Sequence, residues 1–129
     1  MKAVYHLLTV PQSGVRVTIE GMLVRLLFDI TPATLVIQEG EEPPTDLYDC
    51  ESVDAVGRGY GDIVSAIIND RYPSDKVQAV MANYANAQDQ NSDLTAEKRE
   101  EYLAEYSEYQ AWRAHAKQIA TIAVSLIQQ

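Results

Sequence analysis

From Thr95 to Gln129 the chain runs without a glycine or a proline. At about 1.5 Å per residue, a helix of that length reaches roughly 50 Å. The rest of the chain has to be arranged around it. Apolar residues within the stretch recur at spacings of three and four: Tyr102, Tyr106, Tyr109, Ala116, Ala120, Ala123 and Ile127, with Arg113 in the one gap. A second row, Trp112, Ile119 and Leu126, follows at intervals of seven. Together they form a stripe wide enough to bury. Thr95 suits the N-cap position, because its hydroxyl can accept from an otherwise unpaired backbone N–H. Glutamates crowd the first half and Arg113, His115 and Lys117 come later, which suits the helix dipole.

A helix of roughly 50 Å outruns a chain of 129 residues whose radius of gyration should be about 14 Å. Part of it is therefore expected to project, to bend or to pack on another chain. Tyr102, Tyr106, Tyr109 and Trp112, with Arg113 beside them, are of the residue types that dominate interface hot spots. Their alternative role is to cover the open face of a sheet. Ala116, Ala120 and Ala123 allow close backbone approach, and Ile119 and Leu126 need burial. Residues 112–127 are expected to contribute to a homo-oligomeric contact.

The whole chain is taken as one domain, 1–129, with a β-rich part over 1–38, an acidic linker or loop over 39–58 and a helical part over 59–129. Lys2 to Val10 is apolar and β-leaning, and Pro11 to Gly14 is a turn signal. Val15 to Glu20 alternates cleanly, as a half-buried strand does. Met22 to Ile30 fits two templates. As a strand it is buried on both faces; as a helix it presents Met22, Leu23, Leu26, Leu27 and Ile30 on one side. The strand is preferred for its length and its neighbours. Thr34 to Gln38 is a further short β-branched segment. Glu39 to Asp54 carries Glu39, Glu41, Glu42, Asp46, Asp49, Glu51 and Asp54 with no basic residue and with Pro43-Pro44 inside. It is expected to be exposed and to contribute little to stability. Two shorter helices are expected over Gly59 to Asp70 and from Ser74, as a cap, to about Gln88. The fold class is α+β: an antiparallel sheet of three or four strands packed on a C-terminal three-helix unit with a long last helix.

Chemistry-bearing motifs are sparse. Gly57-Arg58-Gly59-Tyr60-Gly61 lacks both the dinucleotide spacing and the Lys-Ser or Lys-Thr of a Walker loop, and reads as a flexible lead-in to a helix. His6 and His115 fall on different elements, with no Cys or Asp at ligand spacing, so no metal is expected. Cys50 and a histidine would be a nucleophilic pair only if the thiolate were accessible, and Asp49 and Glu51 on either side disfavour it. No catalytic residue, cofactor or metal ligand is assigned, and the chain is expected not to be an enzyme. The single cysteine excludes an internal disulfide and fits a reducing compartment. The N-terminal apolar run is too short for a signal peptide, and no segment approaches a membrane span. A net charge of −9 argues against nonspecific nucleic-acid or anionic-membrane binding.

The run Ile67-Ile68-Asn69-Asp70-Arg71-Tyr72-Pro73-Ser74-Asp75-Lys76-Val77-Gln78-Ala79 is followed by Glu105-Tyr106 through Trp112-Arg113 and Lys117. It resembles the C-terminal helical part of small phage and prophage proteins encoded near tail genes. In those proteins an Arg-Tyr-(Pro or Ser)-Ser helix start precedes a Tyr-rich helix ending in a Lys-Ala or Ala-Lys segment. The resemblance covers residues 63 to 118. It implies a non-enzymatic structural or assembly component, cytoplasmic or incorporated in a phage particle, whose partner is itself or another protein. The alternative function is that of an acidic regulator or inhibitor, presenting Glu39 to Asp54 to a basic or nucleic-acid-binding protein.

Overall fold

The computed structural model describes residues 1–33, 40 and 46–129. Four strands, β1 (Lys2–His6), β2 (Arg16–Glu20), β3 (Leu23–Pro32) and β4 (Leu47–Val56), are followed by three helices, α1 (Tyr60–Arg71), α2 (Ser74–Gln88) and α3 (Ala96–Ile127). The strands form one antiparallel sheet in the order β1-β4-β3-β2. The architecture is α+β, with the long helix last.

The alternation in Val15 to Glu20 becomes β2, joined to β3 by a two-residue turn in which Gly21 takes φ +61°, the conformation such hairpins ask of glycine. The ambiguous stretch from Met22 is a strand. Val24, Leu26 and Phe28 enter the main core with the helices, while Leu27 packs with Leu7 and Cys50 on the opposite face. A strand buried on both faces shows a continuous apolar run and no alternation, so its period fits either template. β1 ends at His6, short of Val10. The segment Thr34 to Gln38 lies outside the described residues.

The expectation of an acidic linker is overturned over its second half. Residues 47–56 of the supposed acidic linker are β4, an interior strand paired with β1 on one side and β3 on the other. Cys50, Val53 and Ala55 are buried. Two of its acidic residues are matched by distant arginines. Glu51, 6 % exposed, accepts from Arg71 of α1 at 2.9 Å, and Asp54 takes a two-pronged contact from Arg25 of β3 at 2.9 and 3.2 Å. Arg25 holds the Asp54 carboxyl below the usual carboxylate range through that hydrogen bond. Both groups are largely solvent-facing, so the pair adds little stability. Glu39, Glu41 and Glu42 lie outside the described residues.

The glycines after β4 form a defined turn; they are not a loose lead-in. Gly57 adopts φ +118°, and its N–H donates to Met22 O at 3.1 Å. The Asp62 carboxylate accepts from Gly59 N–H at 3.1 Å and closes the start of α1. A Cβ on Gly57 would sit 2.6 Å from Asp62 Oδ2. Gly57→Ala therefore meets both a backbone region reserved for glycine and a displaced cap, and is expected to destabilise by about 1–3 kcal/mol. Urea denaturation checks it; an unchanged midpoint would contradict the turn geometry.

α2 begins at Ser74, with Pro73 in the cap position, so Ser74 is the first helical residue and not the cap. Thr95 caps α3 as expected, its Oγ1 accepting from Lys98 N–H at 3.1 Å. α3 lies against α2, α1 and β2. Its tyrosine-rich first half meets α2, and its alanine-rich second half fills the core above the sheet. The length of α3 is thus accommodated within one chain, because α2 covers the part that the sheet does not.

Candidate functional site

The structure buries three of the seven expected interaction residues and leaves the other four half-buried. Tyr109, Trp112 and Ile119 are 8 %, 6 % and 6 % exposed. Tyr109 packs edge-on against Tyr72, centroids 5.0 Å apart. Tyr106 stacks on Tyr84 of α2 at 3.6 Å. Trp112 lies by Phe28 and donates from Nε1 to Ile67 O at 3.1 Å. Arg113 donates to Gln110 at 2.9 Å, Tyr102 lies beneath Lys98, and Leu126 is half-buried against the core. Of the expected contact over 112–127, Trp112, Ala116, Ile119, Ala120 and Ala123 belong instead to the core of their own chain. The stripe was legible, but its counterpart is this chain's sheet and α1.

Around Trp112 the structure assembles a polar network with no local signature in the sequence. β3 carries a bulge between Phe28 and Thr31, and within it Asp29 takes φ +52°. Its carboxylate meets His115 Nε2 of α3 at 2.8 and 3.1 Å. The Arg71 guanidinium lies 3.5 Å from the Trp112 ring centroid and bonds Glu51. The Met1 ammonium pairs with Glu51 at 3.2 Å and also with Asp70. Of these groups, Asp29, Glu51, Arg71 and Trp112 border a cleft of about 560 Å³ that Lys2 and Thr31 also line. Each contact joins two elements: α3 to β3, α1 to β4, and the start of β1 to α1. The network locks the layers together. Asp is among the few residues that occupy the left-handed region at modest cost, and the bulge turns its carboxylate toward α3.

Cys50 borders this cleft but is not placed there as a nucleophile. Its side chain packs with Leu7 and Leu27 on the face away from the helices. His6 pairs with Asp46, and His115 with Asp29. Burial, then Asp49 and Glu51, raises the Cys50 thiol above its ordinary value, so the thiolate that a nucleophile needs is disfavoured. Among the described residues, no three His, Cys, Asp or Glu side chains converge as metal ligands would, and no helix is long and apolar enough to cross a membrane.

β1 and β2 are the two edges of the sheet, and on β2 the ladder shows which backbone groups are open. Gly57 N–H donates to Met22 O, which fixes the phase of the ladder. The backbones of Val24, Leu26 and Phe28 face β4, and those of Leu23, Arg25 and Leu27 face β2. Opposite the latter stand Glu20, Thr18 and Arg16. Val17 and Ile19 therefore direct their N–H and C=O groups outward from the sheet. The open stretch is short. Before it, Ser13 Oγ bonds both Val15 N–H and Val15 O at 3.3 and 3.2 Å. After it, Gly21 O accepts from Arg58 at 3.3 Å. Ile19 is 38 % exposed, on the helix side of the sheet. Arg16, Thr18 and Glu20 are exposed on the other side. Among the described residues neither Arg16 nor Glu20 forms an ion pair. They cannot pair with each other within one strand, being about 13 Å apart at four residues' rise. The alternation of Val15 to Glu20 was visible in the sequence; its place at the sheet edge was not. No protein-family model, curated protein or solved structure matches this chain.

Proposed function

We propose that the chain is a non-enzymatic protein-interaction or structural protein that binds copies of itself or another protein, and that it is a virion or assembly component of phage origin. The observation that carries the binding reading is the open edge of β2. An edge strand with free backbone groups and an apolar row is a template for another strand. The phage origin rests on the resemblance over residues 63 to 118. The acidic-regulator alternative loses support, because Asp46, Glu51 and Asp54 are engaged within the chain by His6, Arg71 and Arg25.

Sedimentation velocity tests the reading. The mass of the pure protein is expected to rise above the 14.4 kDa of one chain as concentration increases through the micromolar range. A mass fixed at one chain into the high micromolar range would remove self-association.

A further inference from the structure

The geometry points to a specific self-interface: a symmetric dimer in which β2 pairs antiparallel with β2 of a second copy, centred on Thr18. This rests on the reading that the protein acts by binding and specifies the partner, the strand and the register.

The argument starts from the order of residues in β2, Arg16-Val17-Thr18-Ile19-Glu20. Laid antiparallel on itself about Thr18, the strand sets Arg16 opposite Glu20 of the second copy, Val17 opposite Ile19, and Thr18 opposite Thr18. Every position finds a complementary partner. Val17 and Ile19 are the two residues whose backbone groups point outward, and in this register each forms a hydrogen-bonded pair with the other's copy. The open N–H and C=O groups of both residues are thereby satisfied. Arg16 and Glu20, without ion pairs in their own chain among the described residues, become two cross-strand ion pairs on the face away from the helices. On the helix face, Ile19, exposed in one chain, gains Val17 of the other copy as its neighbour. Shifting the register by one residue would turn apolar side chains toward polar ones and lose these matches.

The other edge strand does not self-pair in this way. β1 reads Lys2-Ala3-Val4-Tyr5-His6, and the same operation sets Lys2 opposite His6. Lysine on an edge is a common guard against pairing. A two-fold axis normal to the sheet keeps both sets of helices on one side, so the two four-stranded sheets run on as one across the axis and the assembly closes as a dimer. Pairing β2 of one copy with β1 of the next would instead run on as an open chain of subunits.

The test uses charge exchange and a cross-link on the whole protein, with circular dichroism confirming that each variant is folded. Arg16→Glu puts a carboxylate opposite Glu20 at both ends of the pairing and is expected to weaken dimerisation about tenfold or more, as is Glu20→Arg. The double variant R16E/E20R restores complementarity and should return the dissociation constant to within about threefold of wild type. Thr18→Cys places two thiols at a non-hydrogen-bonded pair about 4.5 Å apart at Cα, within disulfide reach. Mild oxidation should then give a covalent dimer, and R16E in the same chain should suppress it. A dimer whose affinity ignores both charge changes and whose T18C variant does not cross-link would overturn this interface while leaving the binding reading intact. Assemblies growing beyond two copies would overturn the symmetric pairing in favour of the open-ended one. A protein monomeric at high micromolar concentration would overturn the interface and self-association together.

Discussion

Replacing Trp112 with alanine is expected to lower the unfolding free energy by about 4 kcal/mol, within the range for emptying a buried aromatic site. The side chain ties α3 to both other layers of the fold. Its ring lies 6.1 Å from Phe28 of β3 between centroids, its Nε1 donates to Ile67 O of α1, and Arg71 rests on its face while bonding Glu51 of β4. Truncation opens a cavity between these elements and leaves Arg71 without its platform. Trp112→Phe keeps most of the volume and removes the N–H donor, so its expected loss is smaller, about 1–2 kcal/mol. Because Trp112 is the single tryptophan, unfolding of both variants has to be followed by circular dichroism in urea. A loss below about 1.5 kcal/mol for the alanine variant would mean that the ring lies outside the core. The native emission of Trp112 should be blue-shifted relative to the unfolded chain, as burial requires.

The two periodic parts of the sequence led to the right elements, and the errors concern what those elements touch. Of the ten residues in the two apolar rows of α3, Tyr109, Trp112, Ala116, Ile119, Ala120 and Ala123 are buried, and Tyr102, Tyr106, Leu126 and Ile127 are half-buried. A stripe of that kind has the same pattern whether it meets its own sheet or a second chain. The choice turned on length, and length misled because α2 folds back along the first half, with Tyr84 stacked on Tyr106. β4 was hidden for a different reason. Its acidic residues dominate the local composition, while the charges that neutralise two of them come from Arg25 and Arg71, far away in the chain. Weighing the alternation of Glu51, Val53 and Ala55 against Cys50, Ser52 and Asp54 would have favoured a strand over a loop. The Asp29–His115 contact spans 86 positions and depends on a bulge, and neither leaves a local trace. The mirror order of charges and apolar residues in β2 can be read directly in the sequence. Its meaning depends on the strand order, which places β2 at an edge.

Substituting glutamate for Ile119 is expected to unfold the chain at neutral pH, and this outcome separates a core position from an intermolecular one. Ile119 is 6 % exposed and sits in the main core with Ala116, Ala120 and Ala123. Removing the branched side chain from such a site costs about 2–5 kcal/mol, and an unpaired carboxylate adds the penalty of leaving water. The sum, about 5 kcal/mol or more, is comparable with the whole stability of an ordinary domain. The pH dependence has a definite sign. Burial disfavours the charged form, so the introduced carboxyl would have a folded-state pKa above that of the unfolded chain. The deficit relative to wild type should be smallest below the unfolded carboxylate value, about pH 4, and should grow as pH rises above it. The readouts are the far-ultraviolet spectrum and the solution mass, taken together across pH. Loss of helix at neutral pH, partly recovered relative to wild type on acidification, is the expected result. A variant that keeps its helical spectrum and only changes its mass would return Ile119 to an intermolecular contact. It would also move the self-interface from the edge of β2 to the second half of α3.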